Sequence, residues 1–234
     1  MNNENIGLIT GSSRGLGLAI AKELAQRDFR TILTGRSREN LHLALQQLQG
    51  TNHSLFPIDL TEEDELDQWL DQLVKEKNIP SVLIHNLGAR VDEDKYPFNF
   101  DALKNSMKIN LETAIKINEK FLPYMIQKKS GRIIHIGSDA SLTGKASPAY
   151  VIAKAAMNGY VKAMAQYYAK YNIMFCAVLP GILEHEGSPW AEKKITQPEY
   201  YQKRIEQLPL GRFGNPKEIA GFVAELAVPL CQGK

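Results

Sequence analysis

Tyr150 and Lys154 stand four residues apart in Tyr150-Val151-Ile152-Ala153-Lys154, inside a stretch of helical period. That spacing puts a phenol and an ammonium on one helix face, one turn apart. A cation beside a phenol favours the phenolate. The pair therefore predicts a Tyr150 pKa drawn down toward neutrality, and a group able to exchange a proton with a carbonyl or alcohol oxygen. Ser138, just past an apolar run, brings a hydroxyl that can hold the same oxygen. Asn110 is a polar residue in an otherwise apolar helical stretch, where the ordinary role of an amide is to be satisfied within the helix. Tyr and Lys at this spacing also occur as plain surface pairs, so the remaining motifs decide.

The second chemistry lies near the start of the chain. Thr10-Gly11-Ser12-Ser13-Arg14-Gly15-Leu16-Gly17 follows a strand-like run and opens a helix. A phosphate approaches a backbone only where side chains are missing, and a helix N-terminus offers it free N–H groups and the favourable end of the dipole. Gly11, Ser13, Arg14, Gly15, Leu16 and Gly17 thus form a candidate dinucleotide turn. After the second strand the chain reads Thr34-Gly35-Arg36-Ser37, with no carboxylate to hold a ribose 2′-hydroxyl. Guanidinium groups suit a 2′-phosphate, so Arg14 and Arg36 predict NADP(H) in place of NAD(H), although a lone Arg is ordinarily a solvated surface charge. Asp59, with Leu60 beside it, follows the third strand; it either accepts from an adenine amino group or caps the next helix.

The elements that must position these residues alternate between short apolar runs and longer segments of helical period. Strands are expected at 6–10, 31–34, 54–57, 82–85, 132–136 and 174–179, and helices at 15–26, 38–49, 62–76, 101–127 and 150–171. This alternation is the signature of an α/β fold, a doubly wound parallel sheet (Rossmann fold), whose ligands bind at the carboxyl ends of the strands. With 234 residues and 44% of them hydrophobic, the chain is sized for one domain spanning 1–234. The segment at about 182–208 breaks the alternation and is expected to be a mobile cover over the site.

Composition excludes several classes. With 28 basic and 26 acidic residues there is no charge imbalance to recruit nucleic acid. Cys176 and Cys231 are too few for a disulfide scaffold or a cysteine metal site, and fit a reducing cytoplasm. The start of the chain has no basic region followed by a secretory core, and no apolar run nears the roughly 20 residues of a membrane span.

Taken together, the glycine turn, His85-Asn86-Leu87-Gly88, Asn110, Ser138, Tyr150 with Lys154, Pro180-Gly181 and Leu208-Pro209-Leu210-Gly211-Arg212-Phe213-Gly214 occur in an order that resembles the short-chain dehydrogenase/reductase family, from Ile6 to about Ala227. The resemblance implies a catalytic set in which Tyr150 is the general acid for reduction, Lys154 tunes it and binds the nicotinamide ribose, Ser138 orients the carbonyl, and Asn110 holds a water in a proton relay. It also implies that Asn86, Gly88, Pro180 and Gly181 lie against the cofactor, that no metal takes part, and that the chain is a homo-oligomer built on helices 101–127 and 150–171.

Four departures stand out against that family pattern. Leu87 replaces a smaller residue, the Ser138–Tyr150 interval is one residue short, His185 stands where many members carry a Thr that touches the nicotinamide, and the chain stops at Lys234 before the family's last strand. The last of these favours a dimer over a tetramer, and Met157, Val161 and Met164 form a stripe available to it. His185 is either a loop histidine of no special role or a group that touches substrate; His42, His53 and His135 carry no functional reading. Trp190, Tyr200 and Tyr201 either wall a ligand or pack the cover down. The leading function is a carbonyl reductase of the 3-oxoacyl-thioester type acting on a small molecule; a sugar or secondary-metabolite dehydrogenase and a dinucleotide-binding regulator without turnover are the alternatives.

Overall fold

A computed structural model describes residues 5–92 and 94–228. Cys231 and the first four residues lie outside the described part. Strands β1 (Ile6–Ile9), β2 (Arg30–Gly35), β3 (Ser54–Pro57), β4 (Val82–His85), β5 (Gly131–Ile136) and β6 (Ile173–Val178) form one parallel sheet in the order β3-β2-β1-β4-β5-β6. Each lies close to an expected run, because a strand covered on both faces must be apolar along its length; β1 and β4 are buried at every position. The strand order reverses between β1 and β4, and that reversal opens a crevice at the carboxyl end of the sheet.

Helices α1 (Gly15–Ala25) and α2 (Arg38–Leu45) pack one face of the sheet, and α3 (Glu63–Lys75) packs the other. The helix expected at 101–127 is present over 100–128, with a change of winding midway. It is α4 (Phe100–Met107), a π-helical turn (Lys108–Glu112) and α5 (Thr113–Lys128). Side chains open that turn: Asn110 Nδ2 donates to the Ser106 carbonyl at 2.9 Å, and the Thr113 hydroxyl to the Lys108 carbonyl at 2.9 Å. After β5 come the single-turn α6 (Ala140–Thr143) and the long α7 (Pro148–Tyr168), which ends in a 3₁₀ turn over Ala169–Tyr171. Met157 and Val161 are buried and Met164 is half-buried against the same core, so the stripe read as available for assembly faces inward.

The segment 182–208, expected to be a cover, holds two helices that the periodicity did not place. It contains α8 (Pro189–Thr196) and α9 (Pro198–Glu206), held together by aromatic side chains: Trp190 stacks on Tyr200 at 5.9 Å and meets Phe213 at 4.7 Å, and Tyr201 sits edge-on to Phe213. Those rings pack the cover on itself. A last helix, α10 (Pro216–Ala227), was not anticipated. Its start is marked by a reciprocal cap between Asn215 and Glu218, with Pro216 in the first turn, and Ala220, Val223, Ala224 and Ala227 join the core under α1 and α2. Among the described residues no helix is long and apolar enough to cross a membrane.

Candidate active site

The glycine turn leaves β1 and enters α1 at the reversal of strand order. Gly17 is the point of closest approach: a Cβ there would collide with the Gly11 carbonyl oxygen and lie 2.6 Å from Asn86 Nδ2. Asn86 braces the turn from β4, donating from Nδ2 to the carbonyls of Gly11 at 2.8 Å and Thr10 at 3.1 Å. The Thr10 hydroxyl in turn accepts the N–H groups of Asn86 and Leu87, both at 2.9 Å. No side chain caps α1, so its first N–H groups face the crevice, as an anion site requires. Leu16 packs into the core and offers the crevice only its backbone.

The end of β2 lies against this turn. Ser13 sits beside Gly35, and Arg14 and Arg36 are both exposed at the rim. Asp59 accepts the Thr61 hydroxyl at 2.7 Å and the Thr61 N–H at 3.0 Å in the turn ahead of α3, whose cap position is Glu62, so it does not cap that helix; its other oxygen is 4.0 Å from Arg36. Burial raises its pKa, but the Thr61 bonds and Arg36 outweigh that and leave it below the usual carboxylate value. Leu60 is a core residue under α3. Glycines, free helix N–H groups and two guanidiniums are the donor set a phosphorylated dinucleotide demands, so the residues present fit NADP(H).

Tyr150, Lys154, Ser138 and Asn110 come together at the carboxyl ends of β4 and β5. Lys154 is 3% exposed, donates to the Ile136 carbonyl at 2.9 Å, and has its Nζ 5.7 Å from the Tyr150 ring centre. A Cβ on Gly88 would lie 2.9 Å from both Lys154 Nζ and Asn110 Oδ1, so the absent side chain there lets amine and amide converge. The Asn110 amide is spent on scaffolding: Nδ2 donates to the Ala89 carbonyl at 2.8 Å, and Oδ1 accepts the Ala89 N–H at 3.2 Å. Ser138 Oγ accepts the Ala140 N–H at 3.2 Å. Pro180 is tied to the same edge through the Asp139 N–H at 3.0 Å, and Gly181 follows it.

The expected lowering of the Tyr150 pKa is not what this environment produces. Burial pushes it above the ordinary phenol value, with Ser138 and the Arg90 guanidinium pulling the other way. Lys154 is itself lowered to about 8 by burial. Its ammonium bonds Ile136 and flanks the ring, so in the chain alone desolvation wins over charge. Tyr150 accordingly keeps its proton at neutral pH, the state a proton donor needs.

Three contributors escaped sequence reasoning. Asp94, buried, accepts the N–H groups of Ala149 at 2.9 Å and Tyr150 at 3.0 Å, capping α7 from a loop more than fifty residues upstream. Arg90 lies 5.6 Å from the Tyr150 ring centre. The third is a buried cluster behind Asn110, where the rings of His85 and His135 are 4.5 Å apart, His85 Nε2 meets Asn118 Oδ1 at 2.7 Å, and Asn118 Nδ2 donates to the Tyr160 hydroxyl at 3.0 Å. Only a lone polar residue in an apolar strand hinted at the pair.

Comparison with known proteins agrees with this geometry. The family model for short chain dehydrogenases matches residues 5–194. The chain is 32% identical to the 3-oxoacyl-[acyl-carrier-protein] reductase of Vibrio cholerae, over 98% of this chain and 92% of that one. It is 31% identical to the Escherichia coli enzyme of the same name, over 97% and 91%. Among solved structures it resembles a 3-oxoacyl (acyl-carrier-protein) reductase from Agrobacterium tumefaciens with NADP bound, with a TM-score of 0.88 and 26% identity, covering 97% of this chain and 88% of that one. With the glycine turn, the buried lysine and the tyrosine all at the reversal of strand order, the chain belongs to the short-chain dehydrogenase family.

Proposed function

We propose that the chain reduces a carbonyl to an alcohol with NADPH, with 3-oxoacyl thioesters as the substrate class. The observation that carries this is the half-buried Tyr150 beside Ser138 and the buried Lys154 at the carboxyl edge of β5, opposite the glycine turn. NADPH supplies the hydride when bound. Tyr150 gives its proton to the substrate oxygen, and Ser138 holds that oxygen by a hydrogen bond. The Lys154 ammonium stabilises the phenolate left behind, and Asn110 fixes the loop at Gly88 against which Lys154 lies. Asn86, Gly88, Pro180 and Gly181 line the nicotinamide side, and Gly11 to Gly17 hold the diphosphate. The thioester class is supported by the two reductases from Vibrio cholerae and Escherichia coli, similar along nearly the whole chain. Glu184 weighs against a sugar substrate: its carboxylate is engaged by Tyr201 and by Lys194, and is not offered to a polyol. Oxidation of NADPH with a panel of 3-oxoacyl thioesters, sugar ketones and quinones tests the reading; turnover confined to sugar ketones or quinones would overturn it.

Preference for NADPH over NADH follows from Arg14 and Arg36. Loss of one charged hydrogen-bonding partner costs about 1.5–3 kcal/mol, tenfold or more in affinity. Arg36→Asp places a second carboxylate next to Asp59 and is expected to weaken NADPH at least tenfold while sparing NADH. Comparable affinities of the unmodified chain for the two cofactors by titration calorimetry would refute the assignment.

The same reading makes the protein a cytoplasmic homo-oligomer, at smallest a dimer, joined through α4, α5 and α7. Phe100, Ile152 and Tyr167 support it as large apolar side chains exposed on α4 and α7. Light scattering decides the point: a mass near 26.2 kDa at micromolar concentration would rule out the interface.

A further inference from the structure

His185 stands at the entry to the cover with its ring against the mouth of the glycine turn. A Cβ built on Gly15 would lie 2.6 Å from Nε2, 2.9 Å from Cε1 and 3.1 Å from Cδ2, so the ring points its Nε2 edge at the backbone where α1 begins. The other ring nitrogen, Nδ1, is 2.8 Å from the Glu186 carbonyl oxygen. A carbonyl only accepts, so Nδ1 carries the hydrogen, and in the neutral ring Nε2 is a bare lone pair. The ring is held there by its surroundings. The His185 N–H donates to Ser188 Oγ at 3.3 Å, the Ser188 N–H returns to the His185 carbonyl at 2.9 Å, and Arg14 Nη1 reaches the Gly187 carbonyl at 3.5 Å, joining the cover to the turn.

A lone pair aimed at a phosphate repels it, whereas an imidazolium N–H in the same place makes a charge-assisted hydrogen bond. An imidazole is the side chain that can present either a lone pair or an N–H at the same ring position. We infer that His185 is a cofactor ligand that takes up a proton at Nε2 when a dinucleotide diphosphate occupies the glycine turn. Cofactor binding is thereby coupled to pH; the inference rests on the cofactor reading above. The charged groups on the two segments in contact are Arg14, on the turn, and Glu184 and Glu186, on the cover. Arg14 Nη1 is turned to the Gly187 carbonyl, the carboxylate of Glu184 is engaged by Tyr201 and Lys194, and an incoming diphosphate brings negative charge to the Nε2 edge.

The test is titration calorimetry of NADP⁺ into the full chain at about pH 7.5, in buffers of different ionisation enthalpy, for the unmodified protein and for His185→Gln. The unmodified chain is expected to absorb a larger fraction of a proton per NADP⁺ bound than the variant. Its affinity should also weaken more steeply with rising pH, by up to about tenfold per pH unit. Equal proton uptake in the two proteins would overturn the inference while leaving the cofactor reading intact. Absence of NADP⁺ binding to the unmodified chain would overturn both. A second readout does not depend on the variant's folding: the ring Cε1–H proton resonance of His185 in the unmodified chain should titrate at higher pH in saturating NADP⁺ than without it. An unmoved or lowered midpoint would overturn the inference.

Discussion

Tyr150→Phe should lower kcat for carbonyl reduction by about 10²–10⁴-fold, the range lost with a positioned general acid, and leave NADP⁺ affinity within about twofold. The substitution removes one oxygen and keeps the ring, so the ring's contacts with Arg90 and Lys154 survive and α7 keeps its cap from Asp94. Because burial holds the Tyr150 pKa above that of an ordinary phenol, the proton needed for reduction is present through neutral pH. Alcohol oxidation, which needs the phenolate, should therefore gain rate as pH rises. Stopped-flow measurement of NADPH consumption together with calorimetry of NADP⁺ binding separates chemistry from binding. Near-normal turnover in the variant would move the proton donor elsewhere, and a large loss of NADP⁺ affinity would mean that the phenol is a binding group.

Acid should destabilise the protein well above the carboxylate range, through His85 and His135. Both are buried and neutral, and burial depresses both: His85 falls from 6.5 to about 4 despite its bond to Asn118, and His135 falls well below 6.5 through burial and the neighbouring charges of His85 and Lys154. A depressed folded-state pKa means that the unfolded chain binds the proton more readily. The contribution is fully present above pH 6.5 and is lost as pH falls from there toward 4. For His85 alone this is about 2 kcal/mol between pH 7.5 and pH 5, with His135 acting in the same direction and coupled to it. Urea unfolding at a series of pH values measures the slope, and His85→Asn should flatten it. Unchanged stability down to pH 5 would show that these imidazoles gain protons without opening the core.

The strands, the helices that follow the first three of them and the parallel architecture were legible because each obeys a local rule. A strand sandwiched between helices is apolar along its length, and an amphipathic helix such as α3 alternates at its own period, so boundaries came within a few residues. The turn Gly11–Gly17 and the Tyr150–Lys154 spacing were legible for the same reason, as chemistry written into consecutive residues. The two features missed are local as well, and differ in cause. The π-helical turn at Asn110 depends on side-chain bonds that a periodicity count cannot register, and α10 was overlooked although Asn215, Pro216 and Glu218 spell its cap.

What the sequence determined by itself, then, is the set of chemical groups and the period of each element, since both are fixed within a few residues of chain. The tertiary structure alone decided the environment of those groups. Whether Tyr150 is raised or lowered depends on how deeply it is buried and on where the Lys154 amine bonds; whether α7 is capped depends on Asp94; whether Met157 and Val161 face a partner or the core depends on what β5 and β6 place beneath them. The approach of His185 to Gly15 joins residues 170 positions apart. Burial, desolvation and long-range hydrogen bonds are sums over neighbours that become adjacent only when the sheet is wound, and no local pattern in the chain encodes them.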